Sequence, residues 1–164
     1  MLKYANFDIV FQEVPDEITL AINISNCPNQ CVGCHSQYLW KDVGYVLDKD
    51  SLDELVEKYQ SGITCVCFMG GDAEPYDVAN LAMHIKNRYK DMKTAWYSGK
   101  NELPDAFHAE TFDYIKTGRY EAALGALDSR TTNQRMIKRL ADGRVKDITS
   151  RFQKQVQEEK AATK

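Results

Sequence analysis

An α/β domain built on a mostly parallel, curved sheet is the fold that this 164-residue sequence predicts. Three observations carry the expectation. Runs of β-branched and aromatic residues alternate with helix-patterned stretches, as in parallel strands joined by crossovers. Four candidate strands, ending at Ile24, Phe68, Tyr97 and Lys116, lead into loops marked by Gly or Cys, and ligands of such sheets bind at the carboxyl ends of the strands. The chain is also too short for a closed eight-stranded barrel, which takes about 250 residues. A partial barrel or an open curved sheet is therefore expected.

The elements follow in chain order. Phe7 to Phe11 and Ile18 to Ile24 read as strands separated by a turn at Pro15-Asp16. Ser51 is a candidate N-cap with Glu54 three residues on, the spacing of a capping box. Leu52, Leu55, Val56 and Tyr59 then recur at helical spacing, and Gly62 stops the helix. Ile63 to Phe68 reads as a buried strand, Tyr76 to Tyr89 as a second helix, and Thr94 to Tyr97 and Thr111 to Lys116 as further strands. Gln134 to Leu140 reads as a helix and Val145 to Ile148 as a last short strand. One domain over 1–152 and a polar tail over 153–164 are expected.

Composition narrows the classes. Hydrophobic residues make up 43%, charged residues 27%, and the formal net charge is −3. Nothing basic is present in excess, so neither nucleic acid nor an anionic membrane is expected as a partner. The sequence contains no apolar run near the roughly 20 residues of a membrane span. The opening residues lack a signal-peptide pattern, so a cytoplasmic location is expected. Five cysteines remain to be explained. In a reducing compartment, clustered thiols are more often metal ligands or redox groups than cystines.

Cys27, Cys31 and Cys34 stand in a C-x3-C-x2-C loop. Thiolates at this spacing can fold around one side of a metal–sulfur cluster, and three ligands leave the fourth iron of a cubane open. Pro28 and Gly33 suit a loop that turns sharply. A zinc site is the alternative, with His35, Cys65 or Cys67 as fourth ligand. Cys65 and Cys67 stand two apart in a strand-like run, on one face and about 6.6 Å apart, and read as small buried apolar residues.

The loop resembles the signature of the radical S-adenosylmethionine superfamily. Phe68-Met69-Gly70-Gly71-Asp72-Ala73-Glu74-Pro75 is similar to that superfamily's Gly-Gly-Glu-Pro stretch, with Asp72 after the glycines and Glu74 two residues on. Trp96-Tyr97-Ser98-Gly99-Lys100, Asp113 to Tyr120 and Arg130-Thr131-Thr132-Asn133-Gln134-Arg135 resemble stretches of the activating proteins of anaerobic ribonucleoside-triphosphate reductase, as does Cys34-His35 after Gly33.

The resemblance implies an oxidoreductase with a partial barrel of the radical S-adenosylmethionine type. Cys27, Cys31 and Cys34 would hold a [4Fe-4S] cluster. Gly70, Gly71, Asp72, Glu74, Ser98 and Gly99 would line the S-adenosyl-L-methionine site, with either carboxylate as the acidic contact. No side chain beyond cluster and cofactor would be catalytic. Reductive cleavage of the cofactor would then generate a glycyl radical on the large reductase subunit. The electron would come from a low-potential donor such as flavodoxin. Asn29, Gln30, His35, Gln37, Arg119 and Arg135 would flank the docking surface. A radical enzyme acting on a small molecule and a non-catalytic zinc module are the alternative readings.

Overall fold

The computed structural model describes residues 1–153; most of the expected tail, from residue 154 onward, lies outside the described residues. Eight strands form one sheet: β1 (Lys3–Val10), β2 (Thr19–Ile24), β3 (Tyr45–Val46), β4 (Cys65–Met69), β5 (Lys93–Tyr97), β6 (Tyr114–Thr117), β7 (Arg135–Arg139) and β8 (Val145–Asp147). Two helices cross between strands, α1 (Lys49–Tyr59) and α2 (Pro75–Arg88). The strand order is β3-β1-β2-β4-β5-β6-β7-β8.

The expectation of a mostly parallel sheet needs correction, because the sheet is mixed. β2, β4, β5 and β6 run parallel in the centre. Antiparallel pairs flank them on both sides, β3-β1-β2 and β6-β7-β8. Parallel neighbours need a crossover of a dozen or more residues, whereas antiparallel neighbours need only a hairpin. α1 and α2 supply the crossovers into β4 and β5, and the segment after Tyr97 supplies the one into β6.

Strand alternation divides the core in two. Leu20, Ile22, Ile24, Val66, Phe68, Trp96 and Ile115 face the helices and pack on Leu52, Val56, Val78, Ala82 and Ile85. Full burial of such a side chain is worth roughly 1.5–3 kcal/mol. On the other face Cys65, Cys67, Ala95, Tyr114 and Met136 pack with Val14, Leu127 and Ile148, which come from loops. Both helices therefore cover one face, and the opposite face is roofed by irregular chain.

Three further local expectations change. α1 begins earlier than Ser51: Asp48 is its N-cap, accepting from Ser51 N (2.9 Å) and donating its own N–H to Ser51 Oγ (3.0 Å). Ser51 thus closes a reciprocal capping box as the third helical residue. Thr111 ends a 3-10 turn, so β6 starts only at Tyr114. The expected helix over Gln134 to Leu140 is strand β7, whose Ile137 pairs with Ile115 and Asp147. Pairing on both edges overrides the helix propensity of its long unbranched side chains.

Candidate metal centre

The four parallel strands point their carboxyl ends at one place. The loop after β2 carries Cys27, Cys31 and Cys34, all free thiols, with Cys31 buried and the other two half-buried. Its start is pinned by Asn26 N to Lys41 O (3.0 Å) and Cys27 N to Leu39 O (2.9 Å). Cys34 N donates to Cys31 O (3.1 Å), which folds the second half into a turn. Gly33 takes φ +80°, a left-handed conformation that glycine adopts without a Cβ penalty, and it packs near the Tyr120 ring.

Donors to sulfur are already in position. Ser36 N–H points at Cys34 Sγ (3.3 Å), and Asn29 Nδ2 lies 3.7 Å from Cys27 Sγ. Thiolate ligands of iron–sulfur groups are tuned by such hydrogen bonds. The donor set therefore fits a cluster: three uncrosslinked thiols on one loop with N–H groups aimed at two of them. Among the described residues, no group of three His, Cys, Asp or Glu side chains is arranged to hold a single metal ion. Tetrahedral zinc needs its sulfurs about 2.3 Å from one point, whereas a cubane offers each thiolate a separate iron.

Asp72, on the turn after β4, ties the pieces together. Its Oδ2 accepts from Asn29 Nδ2 (2.7 Å) and Gly99 N (2.8 Å), and its Oδ1 from Ser98 Oγ (2.5 Å). One carboxylate thus joins the cysteine loop, the Gly-Gly turn and the end of β5. A carboxylate offers about four acceptor positions, so one remains. Glu74 is turned elsewhere, with Oε1 accepting from the Met1 amino group (2.5 Å).

The glycines serve packing as much as any ligand. A Cβ on Gly71 would come within 2.5 Å of Val78 Cγ2 and 3.3 Å of Ile24 Cδ1, and one on Gly70 within 3.2 Å of Ile24 O. The Cβ sides of both glycines are thus taken up by neighbouring chain, which leaves the expected approach of their backbone to a ligand untouched. At Gly99 the crowding partner is Asn29 Nδ2, at 2.4 Å.

Lys116 and Gln134 belong to the site and were not among the expected residues. Lys116 is 8% exposed, and its Nζ donates to Ser98 O (3.1 Å) and Gly118 O (2.8 Å). Burial pushes its ammonium down to about 8, against the pull of Asp72, Cys31 and Cys27, which hold it up. Gln134 is 5% exposed and donates to the same Gly118 carbonyl (3.4 Å). The signal in the sequence was a lysine inside an apolar strand, since lysine is almost never fully buried without partners.

Two cavities open at these strand ends. One of about 520 Å³ is lined by Cys34, His35, Tyr97, Lys116, Tyr120 and Gln134 among others. The second, about 510 Å³, lies beside Asp72, Pro75, Trp96 and Lys100. Both fall within the size range of small-molecule and cofactor sites. Cys65 and Cys67 stand apart, fully buried on the loop-covered face. Burial pushes both thiols well above their ordinary range, so they stay protonated.

No curated protein and no solved structure matches the chain. The family model of the 4Fe-4S single cluster domain matches residues 18–137. That span runs from just before β2 into β7 and takes in the whole cysteine loop, and the chain accordingly belongs to the family of 4Fe-4S single cluster domains.

Proposed function

We propose that the chain is a radical S-adenosylmethionine activase that generates a glycyl radical on the large subunit of anaerobic ribonucleoside-triphosphate reductase. One observation carries the reading most. Asp72 brings the cysteine loop, the Gly-Gly turn and the Ser98-Gly99 turn within hydrogen-bond reach of each other, and these stretches are three that resemble that family.

Cys27, Cys31 and Cys34 would hold the cluster through three thiolates, a ligand set that leaves one iron free of protein. When bound, the cluster together with S-adenosylmethionine would supply one-electron radical chemistry, directed here at a glycine of the partner. The chain's own residues orient the cofactor. Asp72 keeps one acceptor position for the ammonium. Lys116, already placed among backbone carbonyls, supplies positive charge for the carboxylate. Ser98 and Gly99 hold Asp72 in place. Tyr97 and Tyr120 line the 520 Å³ cavity beside Lys116.

The macromolecular partner meets this same end of the sheet. Thr117 pairs with Arg135, so Arg135 and the following Arg119 loop both lie at the carboxyl end of β6, and both side chains are exposed. A low-potential donor such as flavodoxin supplies the electron. The test is to mix the reduced, cluster-loaded protein with S-adenosylmethionine and the reductase subunit under anaerobic conditions. A glycyl-radical signal in electron paramagnetic resonance, with methionine released, is the expected result. Cofactor cleavage with no protein radical would instead select the second reading, a radical enzyme acting on a small molecule, which the 520 Å³ cavity could admit.

A further inference from the structure

Asn29 lies between two of the three loop cysteines and is only 7% exposed. A buried amide costs free energy unless its polar atoms are paired, so its partners state what it does there. Its Nδ2 donates to Asp72 Oδ2 at 2.7 Å and lies 3.7 Å from Cys27 Sγ. Asp72, when ionised, only accepts, and this fixes which end of the amide carries the protons. One N–H is taken by the carboxylate and the other is directed at the sulfur.

The rest of the junction keeps that orientation. Asp72 is clamped by Ser98 Oγ and Gly99 N. Gly99 is bare on the side facing Asn29, since a Cβ there would stand 2.4 Å from Nδ2. Three segments distant in sequence thus converge to hold one N–H beside one thiolate. Cys34 receives a backbone N–H from Ser36 at 3.3 Å. At Cys27 a side chain supplies the donor, and a side chain can be changed by substitution.

We propose that Asn29, oriented by Asp72, is a positioning residue that raises the reduction potential of the cluster, while the Asp72 carboxylate lowers it. Reduction adds negative charge to the cluster and its sulfurs. An N–H pointed at a ligand sulfur favours the reduced form, and a nearby anion disfavours it. The two linked residues therefore pull in opposite directions. The proposal rests on Cys27 being a cluster ligand and does not depend on which radical reaction follows.

The test is an anaerobic redox titration of the cluster-loaded protein, read with iron and sulfide content. Asn29→Leu removes the donor at similar volume and should shift the midpoint potential downward. Asp72→Asn removes the charge and should shift it upward. Iron and sulfide should match the parent in both. A parent-like or raised potential in Asn29→Leu with full iron overturns the proposal. Should Asn29→Leu fail to retain its iron, Asn29→Ala decides: a lowered potential with full iron supports the proposal and an unmoved potential overturns it. Full iron in Cys27→Ala would be a different failure, showing that the ligands themselves were misassigned.

Discussion

At the scale of single residues, the chemistry divides the five cysteines by burial and neighbours. Cys27, Cys31 and Cys34 sit on a loop with sulfur-directed N–H groups and a buried lysine nearby. Cys65 and Cys67 are sealed against Tyr114, Met136 and Ala95, where thiolate formation is disfavoured. Replacing any one of the first three with Ala should abolish stable cluster binding, whereas Cys65→Ala or Cys67→Ala should retain full iron. Iron and sulfide counts on anaerobically prepared variants check this. Lys116 gives a second expectation. A hydrogen bond to a charged group is worth about 1.5–3 kcal/mol, and about 1.4 kcal/mol is tenfold in affinity. Lys116→Met should therefore weaken S-adenosylmethionine binding about tenfold or more while iron content holds. Unchanged affinity would remove Lys116 from the cofactor site.

At the scale of elements, much of the fold could be read directly and the exceptions have physical causes. The two helices announced themselves by period, and the central strands by short apolar runs that the sheet buries on both faces. β7 did not, since Arg135, Met136, Lys138 and Arg139 carry unbranched side chains that favour a helix when considered alone. Its strand state comes from β6 and β8 on its two sides, which local pattern cannot reveal. β3 spans only two residues, too few for any period. The cysteine loop and Asp72 were legible as motifs. Asn29 as a partner of Asp72, and Lys116 and Gln134 as cavity residues, depend on tertiary contact between segments far apart in sequence. Two substitutions test the local physics. Asp48→Ala removes the cap of α1 and should cost about 1 kcal/mol of stability, read from urea midpoints. Gly71→Val meets Val78 and Ile24 at φ +88°. It should destabilise the whole fold by about 2 kcal/mol or more instead of selectively weakening cofactor binding.

At the scale of the whole molecule, one sheet face carries the helices and the other carries sulfur and phenol groups under loops. Burial raises Cys65 and Cys67 above their ordinary 9.0, and Tyr97 and Tyr114 above their ordinary 10.0. The folded chain keeps these protons where the unfolded chain has begun to lose them. Stability is therefore fully present below about pH 9 and falls as pH climbs beyond it. Urea midpoints between about pH 8 and about pH 11 should decline, and less steeply in a Cys65→Val, Cys67→Val double variant; an identical slope would assign the decline to other groups. Among the described residues no helix is long and apolar enough to cross a membrane. The open end of the parallel strands, with its two cavities and exposed Arg119 and Arg135, is the face on which the radical reading depends. The most direct measurement is product analysis after anaerobic reduction of the cluster-loaded protein with S-adenosylmethionine. The account predicts methionine and 5′-deoxyadenosine in equal amounts, and neither from Cys31→Ala. A protein carrying a full, reducible cluster that forms no 5′-deoxyadenosine would contradict it.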